Sequence, residues 1–421
     1  MKIILLILFT LLLGACSENK TNNTTSEAAV NCHIEGVVHN RAESTKLLLY
    51  TGIDGNVSLS AQPYEVINIR NGKFACDISL DEAQYCELIF EEERKGGSWQ
   101  QIEFVADNGT IKMELYPRAE FSKTQINGDG HTAEYQSFQL RLRELQTATN
   151  EIRATLKNEG RYYSAEHNAL MAQIEALDEN SPERNKLIEQ LQKMTDKQIY
   201  SPEAYAEREG YKSKRKAAQL EIVSGEPSVA KLTMLARQMV YSLPDQEFID
   251  AFHNIFLPAM PDHSLTKFCQ RQIAGFGLKV GAKYIDFEAP DLNGQMHRLS
   301  DMVEGAELVV LDLWASWCAP CRRAAIEIIP LYDEYKDKGF KVIGVARESG
   351  NTKALEKAIK KDGYKWAQLV ELDDRANLWA KYGCINTAGR RIVFDAEGKI
   401  VAFDPTIEQL TAEVERRFKK N

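Results

Sequence analysis

The sequence predicts three structural parts: an all-β N-terminal domain, a helical middle region and an α/β C-terminal domain. Three observations carry this. Over residues 31–117 apolar side chains alternate with polar ones and are broken by Asn-Gly turns. Over 118–279 they recur at helical spacing, and over 280–421 short apolar runs alternate with amphipathic segments. At about 150 residues per domain, a chain of 421 residues holds two or three such units.

Composition narrows the class. Apolar residues make up 44% and charged residues 27%, ordinary values for a globular chain, which excludes collagen-like, coiled-coil and wholly disordered readings. The formal net charge is −9, so no basic excess supports nucleic-acid binding. Eight cysteines in this length are too sparse for a disulfide scaffold and must be read one at a time.

The N-terminus reads as a targeting segment. Met1-Lys2 precedes an apolar run from Ile3 to Leu13, interrupted by Thr10. That run falls short of the roughly 20 residues needed to span hydrocarbon, and it suits a signal-peptide core. It ends in Leu13-Gly14-Ala15-Cys16, which resembles the lipobox of bacterial lipoproteins. The resemblance implies removal of 1–15, lipidation of Cys16 and stable attachment through several acyl chains. An ordinary secretory signal that happens to contain a cysteine is the alternative. Residues 16–30 are rich in Ser, Thr, Asn and Glu and read as a flexible tether.

The β-rich region, 31–117, shows Ile67 and Ile69, then Asn71-Gly72, then Phe74, Cys76 and Ile78. Ile102 and Phe104 precede Asp107-Asn108-Gly109, with Ile111, Met113 and Leu115 beyond. Both patterns signal hairpins and a small sandwich or barrel. In the helical region, 118–279, Ser181-Pro182-Glu183 and Ser201-Pro202-Glu203 each set an N-cap before a proline at the first helical position. Phe138, Leu142, Leu145, Ile152 and Leu156 form an apolar stripe of the kind that packs a core. Gly275-Phe276-Gly277 lacks the setting of a dinucleotide loop and reads as a linker.

The chemistry sits in 280–421. Leu308–Leu313 is a buried-strand run, and Trp314-Ala315-Ser316-Trp317-Cys318-Ala319-Pro320-Cys321-Arg322 follows where a helix begins. A thiolate at a helix N-terminus faces unsatisfied N–H groups, which lowers its pKa from ~8.5 into the range of ~3.5–7.5. Cys318 is thus expected to be the exposed nucleophile and Cys321 the resolving thiol. Pro320 suits the first turn, having no N–H to lose. A structural disulfide or half of a zinc site are the bland alternatives, but zinc needs a second matching pair that this sequence lacks.

With these residues in view, the chain resembles the thioredoxin-like proteins, and more closely the TlpA/ResA-like thiol–disulfide oxidoreductases. Trp317-Cys318-Ala319-Pro320-Cys321-Arg322 carries the likeness, with Val280-Gly281, Asp286–Asp291, Asn293-Gly294, Leu299-Ser300 and Asp395–Lys399 in support. It covers about residues 280–421 and implies a thioredoxin-like fold there. It further implies that the redox-active Cys318–Cys321 pair is the only redox group, with no separate cofactor and no metal. Its place in thioredoxins makes Asp312 the buried carboxylate that relays the Cys321 proton. Implied partners are disulfide-containing or thiol client proteins of the envelope, an unidentified membrane reductant, and the membrane itself through the lipid anchor. The implied location is the bacterial envelope, facing the periplasm and anchored in the outer membrane.

Two positions depart from that pattern. A glutamate often found three residues after the second cysteine is Ala324 here. The cis-proline expected opposite the dithiol is missing, and counting back from Asp395 puts Gly389 in its slot. A non-proline cis bond costs ~2.5–4 kcal/mol, so the loop is expected to be trans. A more open dithiol, slow insulin reduction and zinc uptake by Cys318 and Cys321, with Cys384 as a third ligand if it turns inward, are the expectations that follow. Cys32, Cys76, Cys86, Cys269 and Cys384 are odd in number, so at least one stays unpaired; Cys76 and Cys86 could face each other across neighbouring strands, although buried free thiols suit a core better. An alternative function is a substrate-binding adapter with a module of low turnover. A peroxiredoxin-type peroxidase is less well matched, since Ala315 stands where such enzymes carry threonine.

Overall fold

The computed structural model describes residues 30–53, 62–179, 181–240, 244–384 and 387–419. The signal segment, most of the tether and Cys16 lie outside the described residues.

The N-terminal domain is a β-sandwich. Its strands are β1 (Val30–Val38), β2 (Lys46–Thr51), β3 (Glu65–Asn68), β4 (Lys73–Leu80), β5 (Gln84–Phe90), β6 (Ile102–Ala106), β7 (Gly109–Leu115) and β8 (Gln125–Asn127). They form two sheets, ordered β4-β1-β7-β8 and β3-β2-β5-β6. Alternation sends Ile34, Phe74, Ile78, Ile111 and Met113 from one sheet against Leu47, Leu49, Leu88 and Phe104 from the other.

Two details differ from the sequence reading. Asn71 and Gly72 both take positive φ, as a tight turn requires, yet β3 and β4 belong to different sheets. The same holds for β6 and β7 around Asp107-Asn108-Gly109. These turns are corners that carry the chain between sheets, because local signals specify a reversal but not its partner strand. The sandwich also extends past 117, since β8 pairs with β7 through Lys112 and Asn127.

The longer helices of the middle region are Gly130–Asn158, Ala165–Glu175, Pro182–Gln192, Pro202–Val223, Val229–Gln238 and Ser264–Phe276. Ser181 and Ser201 cap their helices as expected, accepting from Glu183 and Arg184 N–H and from Ala204 N–H respectively. Among the described residues no helix is long and apolar enough to cross a membrane. Tyr135, Leu142, Leu232, Phe252 and Phe268 share one core with Tyr85 and Val105 of the sandwich, so the two parts pack directly. A polar knot lies in that joint: Tyr85 Oη donates to Glu87 and to Glu103, each at 3.1 Å, and Arg237 pairs with Glu103. Burial, reinforced by Glu103, pushes the Glu87 carboxyl up to about 7.

The C-terminal domain opens with a hairpin, β9 (Glu288–Pro290) and β10 (Met296–Arg298), turned at Gly294 with positive φ. Its central sheet is ordered β13-β12-β11-β14-β15, from β11 (Leu308–Trp314), β12 (Phe340–Glu348), β13 (Ala367–Leu372), β14 (Arg390–Asp395) and β15 (Ile400–Phe403). β11, β12 and β13 run parallel, and β14 and β15 run antiparallel to their neighbours. All seven residues of β11 are buried, as a central strand covered on both faces demands. One face carries Leu308 and Val310 under helices Ala319–Tyr335 and Ile407–Phe418. The other carries Val309, Leu311 and Leu313 under Phe287, Leu299, Trp379 and Tyr382.

Gly275-Phe276-Gly277 is not a linker. Gly275 lies in the last turn of Ser264–Phe276, and a β-carbon there would meet the Ala380 carbonyl oxygen at 2.2 Å. The helical region is thus docked on the C-terminal domain at a glycine contact.

Candidate active site

Cys318 is the N-cap of helix Ala319–Tyr335, and its sulfur accepts from the Cys321 backbone N–H at 3.2 Å. Cys318 and Cys321 are joined as a disulfide, with their Cα atoms 5.3 Å apart. The helix begins here because Cys318 is extended and Pro320 falls in the first turn, where the missing N–H has no intrahelical partner to lose. Trp317, 63% exposed, and Ala319 and Pro320 form the accessible rim, whereas Cys318 is only 6% exposed. The expected exposed nucleophile is therefore recessed beneath its neighbours, and Cys321 is half-buried.

The turn before the dithiol is held by a residue that the sequence reading missed. Glu348, at the end of β12, accepts from the Ser316 N–H and from the Ser316 hydroxyl, both at 2.8 Å and both buried. A charged residue closing a strand ordinarily reads as surface, so no sequence signal marked it. Arg322 is equally committed. It grips Asp362 with two hydrogen bonds of 2.6 and 2.7 Å and donates to the Ser316 carbonyl at 3.3 Å. Its charge is spent on that clamp, so stabilisation of a Cys318 thiolate rests on the helix N–H groups.

Asp312 is 4% exposed and projects from the same face of β11 as Trp314, against whose cluster Cys321 packs. Burial pushes its carboxyl up to about 7, Arg391 opposing and Asp404 adding to the rise. Gly389 stands opposite the dithiol as expected: a β-carbon there would lie 3.0 Å from Cys321 Sγ. No cis peptide occurs among the described residues. The loop is not more open, however. Gly389 lets the backbone close onto the Leu313 carbonyl and the Cys321 sulfur, which leaves no room for a side chain.

Cys384 does not face the dithiol. It is 1% exposed in the core on the other face of the sheet, with Trp379 and Tyr382, and burial pushes its thiol up to about 12. It is therefore not placed as a third zinc ligand. No cluster of metal-binding side chains occurs among the described residues. Cys32, Cys86 and Cys269 are free and buried, and Cys76 is free and partly buried.

A five-stranded sheet with a Cys-Ala-Pro-Cys pair at the end of its central strand defines a thioredoxin-like dithiol domain. The AhpC/TSA family model matches residues 280–403. Thiol-disulfide oxidoreductase ResA of Bacillus thuringiensis (strain Al Hakam) is 26% identical over 124 residues, covering 30% of this chain and 68% of that protein. ResA of Geobacillus kaustophilus is 33% identical over 97 residues, covering 23% of this chain and 53% of its own. The solved thioredoxin domain of a thiol-disulfide oxidoreductase from Bacteroides vulgatus is 32% identical, covers 33% of this chain and 97% of that one, and has a TM-score of 0.30. The C-terminal domain is thioredoxin-like, and its sequence is similar to that of the thiol-disulfide oxidoreductase ResA.

Proposed function

We propose that the protein is a lipid-anchored, periplasm-facing oxidoreductase that exchanges disulfides in envelope proteins through Cys318 and Cys321. The observation that carries this reading is the Cys318 sulfur on a helix N-terminus, within hydrogen-bonding distance of the Cys321 N–H. In the reduced protein the Cys318 thiolate attacks one sulfur of a client disulfide. A mixed disulfide forms and the client's other sulfur leaves as a thiolate. Cys321 then gives its proton to Asp312 and attacks Cys318. The internal disulfide forms, the client is released with both sulfurs reduced, and two electrons have passed to it. A membrane reductant returns them. The anchor rests on Leu13-Gly14-Ala15-Cys16.

Two experiments test this. Cys321→Ala should trap mixed disulfides through Cys318 on envelope proteins, and Cys318→Ala should trap none. Equal trapping by both variants would refute the assigned roles. Cys16→Ala should release the protein from membranes with its dithiol chemistry intact, and retention of that variant in high salt would refute the anchor.

A further inference from the structure

The sheet carries a transverse polar row beneath the dithiol. In register, Asp312 of β11 lies beside Gly344 of β12 and, on its other side, Arg391 of β14; Gly344 lies beside Gln368 of β13. Beyond Arg391 comes Asp404, whose N–H donates to the Arg391 carbonyl at 2.7 Å and whose carboxylate accepts from the Arg391 N–H at 3.4 Å. Asp404 is exposed, so the row runs from a buried carboxyl to solvent. Oδ2 of Asp312 and Nη1 of Arg391 are buried without a hydrogen-bond partner. Such atoms cost about 1–3 kcal/mol each when left unmatched, so their occurrence on two residues paired in register calls for a role.

We propose that Arg391 and Asp404 are positioning residues for Asp312, setting between them how readily it takes and gives up the Cys321 proton. This rests on the reading of Asp312 as proton acceptor. Arg391 favours the charged carboxylate, and Asp404, acting from behind Arg391, opposes it. The other elements packed there add little charge. Gly344 has no side chain, and Gln368 is neutral and accepts from Trp314 Nε1 at 2.9 Å. The covering helices present Ala325 and Ile328, and Leu410 and Val414. Tyr364 stays protonated, because burial, with Asp362 and Asp312 nearby, pushes its hydroxyl up. β14 thus serves the site twice: Gly389 packs against the sulfur just before it begins, and Arg391 lies beside Asp312 in register within it.

The test uses the full-length reduced protein and 5,5′-dithiobis(2-nitrobenzoate). The first release of nitrothiobenzoate reports attack by Cys318, and the second reports resolution by Cys321. Arg391→Gln should move the pH midpoint of the second phase upward by about half a unit or more, and Asp404→Asn should move it downward. Asn suits the positive φ of 51° at position 404, so that variant remains informative even if Arg391→Gln folds poorly. Arg391→Lys should stay near wild type. In an Asp312→Asn background neither change should shift the profile. An unshifted profile for both variants overturns the inference, as does a shift that persists without Asp312. A second phase that Asp312→Asn itself leaves unaltered overturns the acceptor reading and the inference with it. A shift from Asp312→Asn but none from Arg391 or Asp404 overturns the inference alone.

Discussion

Gly389 packs its backbone against the sulfur of Cys321. A β-carbon at Gly389 would stand 3.0 Å from that sulfur, 3.1 Å from Trp314 Cα and 2.2 Å from the Leu313 carbonyl oxygen. The last distance decides the matter, because a strand carbonyl in a central sheet has little freedom to retreat. Proline carries a β-carbon too, so restoring the residue usual in thioredoxins would not restore their loop. Gly389→Ala and Gly389→Pro are both expected to destabilise the protein by ~1–3 kcal/mol and to slow insulin reduction. Denaturant titration and an insulin assay check this. Unchanged stability in both variants would show that the loop has room.

Glu348 is the second expected weak point. It accepts two buried hydrogen bonds from Ser316, two residues before the nucleophile. Glu348→Ala leaves an N–H and a hydroxyl without an acceptor, at a cost of roughly 2–4 kcal/mol. The turn should loosen as well, so Cys318 should be alkylated faster after reduction than in the wild type. A variant with wild-type melting temperature and alkylation rate would mean that Ser316 finds another acceptor.

Asp312 gives a pH signature of unusual sign. Its folded pKa of about 7 lies above the ordinary ~3.9 of the unfolded chain. The native protein therefore holds a proton that the unfolded chain has lost, and this residue makes stability fall as pH rises from about 4 to about 7. Asp312→Asn removes that penalty. With ~1.4 kcal/mol per pKa unit, its stability advantage over wild type should grow by roughly 2–3 kcal/mol between pH 5 and pH 8. Urea melts of the oxidised proteins at both values measure it. An advantage that stays flat with pH would show that Asp312 is not protonated near neutrality.

Much of this was legible in the residues because the signals were local. Period-2 runs, Ser-Pro caps and a dithiol at a strand–helix junction are each written within ten residues. Asp312 and Gly389 are legible only through the resemblance to thioredoxins, the one by its place before the dithiol and the other by counting back from Asp395. Glu348, Arg391 and Asp404 are not, because their roles depend on strand register, which brings Glu348 to Ser316 from 32 positions away and sets Arg391 and Asp404, 79 and 92 positions from Asp312, in one row with it. Strand partners were lost for the same reason: Asn71-Gly72 announces a turn but not that it changes sheets. The direction Cys384 takes is not legible either, because sequence shows its nearness to the loop and not the face of the sheet it enters.

The joint between the helical region and the oxidoreductase domain yields the last prediction. A β-carbon on Gly275 would lie 2.2 Å from the Ala380 oxygen and 2.8 Å from the Lys381 oxygen. Gly383 answers from the other side at φ 59°, where a β-carbon would meet the Gly275 oxygen at 2.6 Å. Upstream, the same helix is fixed in the helical core by Leu265, Phe268 and Cys269. It cannot shift to make room without disturbing that packing. Gly275→Ala should therefore open the joint, at a cost of ~1–3 kcal/mol. The carbonyls of Tyr382 and Gly383 also accept from Arg390, next to Gly389, so the disturbance should reach the loop at the dithiol. Faster proteolysis between residues 277 and 283, with a lowered melting temperature, is the expected result. Wild-type resistance to protease in Gly275→Ala would show that the two parts are not held together by this contact.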